Sequence, residues 1–458
     1  MLHLLDLPAE ILLHVISQFA DPDRGRYQSV HDRKICGDNT LDVARLHCDL
    51  AAMAALCRTS HTLRDLAEPF LFSFVWLPQP TIRQLLSIMR CWDSRPTRSK
   101  YVRRLVCEPI SADDYMSEED AAVVVRSASD MNAELPDGWA QSHNNIDLAT
   151  EILALRAINV ESLELNFRRV GSTLFKCLVP GAGGMSIRPP RFRNLRHLHL
   201  LKMPHENFFR DEGIQHILDE APSLTSLETS GITFNPSRPF KAPNLTTCRL
   251  SLDASRPQSN APEHVVSSIS RLVHLEVKTK AFMSTQKAGL ILRALRRHAS
   301  TLQTLSMPIG SQPQDHDALE PLRELVNLTS FEIVLPHPWA EEARSMPHFC
   351  LPPSLRTLRL VVTMNHPTEM PIIAEWAMKM RRFGSPELRV LIVSEDFDRK
   401  VAIKGYIMTM SKEFDCEEVV KEQSKEFQRR KQANENKDKR QRLGDSDSDD
   451  LFHQTAIL

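Results

Sequence analysis

Near the start of the chain the apolar residues fall at Ile11, Leu12, Val15, Ile16 and Phe19, while Glu10, His14 and Gln18 stand between them. That is one stripe at the three-and-four spacing of an amphipathic helix. Pro8 suits the first helical turn, where its missing N–H forfeits no hydrogen bond, and Glu10 suits the positive end of the helix dipole. A second stripe runs through Leu50, Met53, Ala54, Leu56 and Cys57, and a third through Leu63, Leu66, Ala67 and Phe70. Three short helices of this kind predict a small bundle with more apolar surface than its own core can use, so a partner surface is expected.

Further along, the pattern changes to a recurring phrase: aliphatic, two residues, aliphatic, one residue, aliphatic. It stands at Val160-Leu163-Leu165, Leu195-Leu198-Leu200, Leu224-Leu227-Thr229, Leu245-Cys248-Leu250, Leu272-Leu275-Val277, Leu302-Leu305-Met307, Leu328-Phe331-Ile333, Leu355-Leu358-Leu360 and Leu388-Leu391-Val393. Val102-Leu105-Cys107 is a candidate earlier copy. The phrase alone arises often by chance, but its nine starts are about 28 residues apart on average, near the period of leucine-rich repeats. Pro222, Pro243, Pro353 and Pro386 stand two residues before a phrase, where proline ends a helix and enters a strand. Helical stretches are expected between phrases, over Ile146 to Ile158, Gly213 to Leu218, Val265 to Leu272 and Ala288 to Leu302. Strand, turn and helix repeated in this way predict an α/β repeat solenoid. It is irregular, because the Asn or Cys that leucine-rich repeats carry after the phrase is replaced at Met203, Asp253, Lys280 and Pro336.

The N-terminal stretch resembles the F-box, a family whose opening Leu-Pro, Glu and paired aliphatics stand here as Leu7, Pro8, Glu10, Ile11 and Leu12. The family's second half is matched by "DLAAMAALCRTSHTLRDLAEPFLF", and the resemblance covers Leu4 to about Leu77. It departs from the family at "DPDRGRYQSVHDRKICGDNTLDVARLHC", which separates the first helix from the second. Its five acids and five bases read as a solvated surface loop, whose length costs little closure entropy. The expected organisation is therefore a helical bundle over 1–77 with an inserted loop 21–48. After it come a linker with a candidate first repeat over 78–147, a leucine-rich-repeat-like solenoid over 148–410, and a charged, disordered tail over 411–458.

Composition narrows the functions. A chain of 458 residues exceeds one ordinary domain. Its 57 basic and 58 acidic residues give a net charge of −1, with no field favouring nucleic acid or an anionic membrane. Glycine is scarce at 14 residues against 29 prolines, and no phosphate-cradling GxGxxG or GxxxxGK[ST] is present. No apolar run approaches membrane length, and Asp6 and Glu10 break the N-terminal apolar stretch, so no secretory signal is expected. Nine cysteines without a CxxC pair suit reduced thiols, and the sequons at Asn244 and Asn327 then read as chance. The expected address is cytoplasmic and/or nuclear.

Candidates for chemistry are few. Cys57 and His61 are four apart on one helix, yet Cys57 lies in the apolar stripe, where a buried inert thiol is the ordinary outcome. His197 and His199 share a strand face but have no second ligand pair, and His348 with Cys350 is equally incomplete. Neither a metal nor a cofactor is expected. In the tail, "KDKRQR" at Lys437 to Arg442 reads as a nuclear import patch or a weak anion contact, and Ser446 and Ser448 among aspartates as phosphorylation sites, with an inert solvated tail as the plain alternative to each.

In a solenoid, the residues between the inward aliphatics form one column across the concave face: Glu164, His199, Glu228, Arg249, Glu276, Ser306, Glu332, Arg359 and Ile392. Four glutamates against two arginines point to a basic target segment, with a merely solvated face as the plain alternative. What the F-box resemblance implies is a substrate-recognition subunit of an SCF-type cullin–RING ubiquitin ligase, itself making no bond. By that resemblance Leu7, Pro8, Ile11, Leu12 and Ile16, with Leu56 and Leu66 behind them, form or support the contact to a Skp-type adaptor and through it to cullin. The repeat would hold a protein substrate whose identity the sequence leaves open, with no membrane or nucleic-acid partner. The rival is a leucine-rich-repeat scaffold without a ubiquitin role, its helices capping the solenoid. An enzyme with a scattered active site finds no support in any motif.

Overall fold

The computed structural model describes residues 8–19, 40–78, 80–108, 116–131, 145–167, 190–202, 209–230, 232–233, 240–252, 262–279, 285–308, 316–335, 351–363, 389–395 and 408–409, with residues 133, 135, 139 and 283 between them. The tail 411–458 lies outside the described residues, as do Leu7, His348, Cys350, Pro386, and the four places after the phrase where an Asn or Cys was sought.

Three helices open the chain: α1 (Ala9–Phe19), α2 (Thr40–Thr59) and α3 (His61–Leu71). The second begins inside the stretch expected to be loop 21–48. Between Gly37 and Pro69 the sequence holds no Gly or Pro, and Leu41, Ala44, Arg45 and Leu46 are good helix formers, so the helix extends back to Thr40. Ser60 caps α3 by accepting a hydrogen bond from the Leu63 N–H. Ile16, Met53 and Ala67 form the buried centre of this cluster, with Leu56, Cys57, Leu66, Phe70 and Leu71 packed around it.

Two residues after α3 the first strand begins. The parallel strands are β1 (Phe74–Pro78), β2 (Arg104–Glu108), β3 (Ser162–Phe167), β4 (His197–Lys202), β6 (Ser226–Ser230), β8 (Thr247–Leu252), β9 (His274–Thr279), β10 (Thr304–Pro308), β11 (Ser330–Leu335), β12 (Thr357–Thr363) and β13 (Arg389–Glu395), and β14 (Met408–Thr409) joins antiparallel at the end. The short β5 (Phe209–Arg210) and β7 (Ile232–Thr233) pair with each other outside this sheet. Strand order follows chain order throughout. The chain is thus an α/β protein. All nine strands expected from the phrase are present, as is β2 from its candidate earlier copy. β1 falls inside the stretch assigned to the bundle: "FVWLP" is aromatic and β-branched, a strand composition without the leading aliphatic of the phrase.

Parallel neighbours require crossovers, and right-handed crossovers advancing always in one direction put the connecting helices on the same side of the sheet. The helices there are α4 (Ile82–Ser94), α5 (Thr97–Tyr101), α6 (Glu118–Asp130), α7 (Asn145–Arg156), α8 (Asp211–Glu220), α9 (Pro262–Ser268) and α10 (Thr285–Leu295), continued by a 3-10 turn at Arg296–His298. A second 3-10 segment, His316–Glu324, packs on α10. A capping box between Thr81 and Gln84 opens α4, which buries Ile82, Leu85, Leu86, Met89 and Trp92. One apolar core runs without interruption from Ile82 to Leu358. Within it the second and third aliphatics of each phrase alternate with residues of the opposite face, as a pleated strand requires.

The first aliphatic of each phrase does another task. Val160, Leu195, Leu224, Leu245, Leu302, Leu328 and Leu355 each turn the chain inward, the backbone N–H bonding a carbonyl three or four residues back. The prolines at 222, 243 and 353 begin that turn rather than the strand. Just ahead of the leucine stands a polar residue whose side chain reaches the previous coil: Asn159 donates to the Lys100 carbonyl, Asn194 to Asn159 Oδ1, Asn244 to the Pro222 carbonyl, Thr301 to Leu272, Asn327 to Ser300 and Ser354 to Leu328. The asparagine ladder sought after the phrase therefore has a counterpart before it.

Glu68 of α3 ties the opening helices to this architecture. Its carboxylate, 7% exposed as a residue, accepts from Arg98 Nε at 2.6 Å and lies 3.4 Å from Arg95 Nη1. Arg98 also stacks over the Phe72 ring and donates to Cys91 Sγ, so one guanidinium joins α3, the turn after it, α4 and α5.

Candidate functional site

Helices cover one side of the sheet, and the other carries the polar residues between the buried aliphatics. Strand register aligns them into rows. Glu164 pairs with His199, His199 with Glu228, Glu228 with Arg249, Arg249 with Glu276, Glu276 with Ser306, Ser306 with Glu332 and Glu332 with Arg359. The column read from the sequence is thus a physical row across eight strands. Its last member is corrected: Arg359 is opposite Leu391, and Ile392 is opposite Leu360. The final phrase enters the sheet one residue out of step, and a one-residue slip moves a position to the other face.

Glutamate occupies every second strand of the row, with His199, Arg249 and Ser306 between them; Glu164 and His199 are buried, at 3% and 8% exposure, so the row is accessible only from Glu228 onward. His199 Nδ1 lies 3.6 Å from Glu164 Oε1 and its Nε2 3.4 Å from Glu228 Oε1. These are ion-pair separations without hydrogen-bond alignment, and neither Glu164 Oε1 nor His199 Nε2 makes a hydrogen bond among the described residues. Arg249 is better placed. Its Nη1 is 3.3 Å from Glu228 Oε2 and its Nε 3.0 Å from Glu276 Oε2, so one guanidinium bridges carboxylates two strands apart. Lys278 adds a contact to Glu276 Oε1 at 3.1 Å. Farther along, Ser306 donates to Glu332 Oε1 at 2.9 Å, and Arg359 Nη1 reaches Glu332 Oε2 at 2.7 Å.

A second row runs alongside: Arg104, Ser162, His197, Ser226, Thr247, His274, Thr304, Ser330 and Thr357 are in register from β2 to β12. His274 Nδ1 meets Thr304 Oγ1 at 2.6 Å. Burial, helped by Arg249, holds His274 below the ordinary imidazole range, and burial with Arg196 and Arg104 does the same to His197. These imidazoles are neutral at pH 7, so beyond Arg104 the second row offers uncharged hydroxyl and imidazole groups beside the charged one.

The N-terminal residues divide. Pro8 and Ile11 are exposed, Ile11 at 48%, whereas Leu12 and Ile16 are buried in the helical cluster. Leu56 and Leu66 are half-buried and pack on its centre. Leu13, at 37% exposure, was not among the expected residues and lies across the buried line from Ile11, on the other flank of α1; its place off the main stripe is the signal that would have found it.

Among the described residues the candidate nucleophiles are cysteines. Cys57 is half-buried, and burial followed by the Glu68 charge pushes its thiol up, while His61 is exposed. Burial pushes Cys107 and Cys248 up to about 12, so both stay protonated. His197 and His199 lie in separate rows, and among the described residues no three His, Cys, Asp or Glu side chains are grouped as metal ligands. Nor is any described helix long and apolar enough to cross a membrane. Ser446, Ser448 and the basic run at 437–442 lie outside the described residues.

No protein-family model matches the chain, and no curated protein matches it significantly.

Proposed function

We propose that the chain is the substrate-recognition subunit of an SCF-type cullin–RING ubiquitin ligase, its opening helices forming an F-box and its parallel sheet an irregular leucine-rich-repeat solenoid. One observation carries this reading. The helix that bears the F-box-like sequence buries Leu12 and Ile16 but leaves Pro8 and Ile11 outside, three positions apart on one flank, on a unit fastened by Glu68 to a sheet whose polar side is accessible from Glu228 onward. Exposed apolar residues on a helix supply a docking stripe for an adaptor. A polar open face supplies recognition, and rigid attachment between the two holds a bound target at high effective concentration near the ubiquitin-conjugating enzyme. The subunit makes no bond itself, needs no cofactor, and works in the cytoplasm, the nucleus or both.

The second reading is a repeat scaffold without a ubiquitin role, its helices capping the first strand. The Glu68 latch favours it equally, since a cap needs only to be attached. Affinity purification separates the two. The wild type should bring down a Skp-type adaptor and a cullin, and a Pro8→Ala/Ile11→Asp variant should not, while keeping its far-ultraviolet circular dichroism because both side chains are exposed. If the wild type captures neither partner, the ligase reading fails and the scaffold stands.

A further inference from the structure

The edge of the sheet at which the strands begin combines an exposed aliphatic residue with cations. Ile158, 41% exposed, stands in the turn before β3. The coils on either side put a cation at the same place: Lys100 is two residues ahead of Val102 and Arg193 two ahead of Leu195, as Ile158 is two ahead of Val160. The three turns are stacked, because Asn159 donates to the Lys100 carbonyl and Asn194 to Asn159 Oδ1. Lys100 and Arg193 therefore flank Ile158, roughly 10 Å apart across two coils. Arg196, just before β4, adds a third cation. Lys100, Arg193 and Arg196 are exposed and hold no ion pair among the described residues, whereas the acid between them, Glu161, is taken by Arg103. Their charge is felt nearby: behind burial, Arg196 and then Arg104 depress the pKa of His197. Val326, 53% exposed, stands in the same kind of turn, its N–H bonding the carbonyl two residues back as that of Ile158 does. There the flanking places hold the uncharged Ser300 and Pro353.

A surface apolar at its centre and basic around it fits a segment that joins an acidic run to apolar residues, and this chain contains one. Asp445, Asp447, Asp449 and Asp450 are followed at once by Leu451 and Phe452. About 36 residues separate Asp445 from Thr409, the last described residue. Such a length spans at most about 120 Å, against roughly 45 Å along the sheet from β14 back to β3, so the tether reaches with slack. We infer that residues 445–452 dock on this edge of their own chain, the aspartates on Lys100, Arg193 and Arg196, and Leu451 with Phe452 over Ile158. Exposed ion pairs alone are weak; the apolar contact between them and the effective concentration set by the tether supply the rest. The occupied edge adjoins α5, whose Arg98 holds Glu68 of the helical unit, so the docked segment lies beside the boundary of helices and sheet. The inference needs neither the ubiquitin role nor recognition on the polar face.

The test uses two full-length chains and a fluorescein-labelled peptide of residues 444–454, followed by fluorescence anisotropy at low ionic strength. One chain is the wild type. The other carries Asp445→Asn, Asp447→Asn, Asp449→Asn, Asp450→Asn, Leu451→Ser and Phe452→Ser, which vacates the edge. The vacated chain should bind the peptide, and the wild type should bind it about tenfold more weakly or worse, because its own segment competes at high effective concentration. Added to the vacated chain, Arg193→Glu/Arg196→Glu and, separately, Ile158→Asp should each weaken binding about tenfold or more. Far-ultraviolet circular dichroism should stay unchanged, since all three side chains are exposed. Val326→Asp, in the same kind of turn with uncharged flanks, should change nothing. The inference is overturned if the peptide does not bind the vacated chain, if the wild type binds it as tightly, if either edge variant binds like the vacated chain, or if Val326→Asp weakens binding as much as they do. Sedimentation velocity of the wild type decides whose segment is docked: a monomer at the assay concentrations supports docking within one chain, and a dimer that the tail substitutions dissociate overturns it in favour of exchange between two copies.

Discussion

The opening helices and the parallel sheet bury apolar surface on different scales. In the helical cluster the fully covered centre is Ile16, Met53 and Ala67, with a ring of half-buried neighbours. In the sheet, a single core extends from Ile82 to Leu358. Each coil of the sheet also adds a side-chain bond from Asn, Thr or Ser to the coil before it, so cohesion grows with every strand. The helices gain no such increments. A three-helix unit with so small a centre depends on what it is attached to, and the Glu68–Arg98 contact is that attachment. The difference is one of cohesion: a large scaffold held together coil by coil, and a small unit whose order is conditional.

The largest effect should come from the sheet side of the boundary. Trp92 is completely buried on α4, with Arg156 over its ring, and Trp92→Ala should cost about 3–5 kcal/mol. Urea unfolding followed by circular dichroism reads this as a lowered midpoint. An unchanged midpoint would mean that the core does not act as one unit there.

Next in size is Glu68→Gln. It keeps the shape of the side chain and leaves Arg98, only 19% exposed, without its carboxylate, at a cost of about 1–3 kcal/mol. The loss should fall on one side of the comparison. Limited proteolysis should cut between residues 71 and 82 sooner than in the wild type, leaving the sheet intact. Cleavage at the wild-type rate would show that the helices are held by something other than this latch.

Much of the sheet was legible because its signal is repeated. Nine phrases gave nine strands, and a period near 28 residues leaves room for one crossover each. The ladder of Asn159, Asn194, Asn244, Asn327 and Ser354 was also written in the sequence, as the polar residue before the first aliphatic, whereas the leucine-rich-repeat pattern puts its ladder after the phrase. What could not be read was register. Ile392 and Leu391 are both aliphatic, so only hydrogen bonding to β12 decides which faces Arg359. Long-range ion pairs were equally hidden: nothing near Glu68 in sequence marks Arg95 and Arg98, 27 and 30 residues away. The members of the charged row were identified except for Ile392, whereas their burial at Glu164 and His199 and the bridging geometry of Arg249 needed the strands side by side.

The smallest expected effect concerns one histidine of the sheet. His298 is 1% exposed at the end of the 3-10 turn. Its Nδ1 accepts from the Leu272 N–H at 3.3 Å, and its Nε2 is 2.9 Å from the Val266 carbonyl, which requires the proton on Nε2. It thereby joins two coils, the one that ends at Ser268 and its own. Burial lowers its pKa below the ordinary 6.5, with Arg297 adding to this and the Val266 bond opposing it. Because the unfolded chain then binds the proton more readily than the folded one, the contribution is complete above about pH 6.5. It is lost progressively as pH falls from there through the folded value. His197 and His274 shift in the same direction and add to the slope. His298→Gln keeps a donor and an acceptor without titrating, and should lower stability at pH 7.5 by about 1 kcal/mol. Between pH 7.5 and 5.5 its urea midpoint should fall less than the wild type's, the remaining fall reporting the other two histidines. Equal falls in both proteins would place the acid sensitivity elsewhere and leave the coil-to-coil bond of His298 indifferent to protonation.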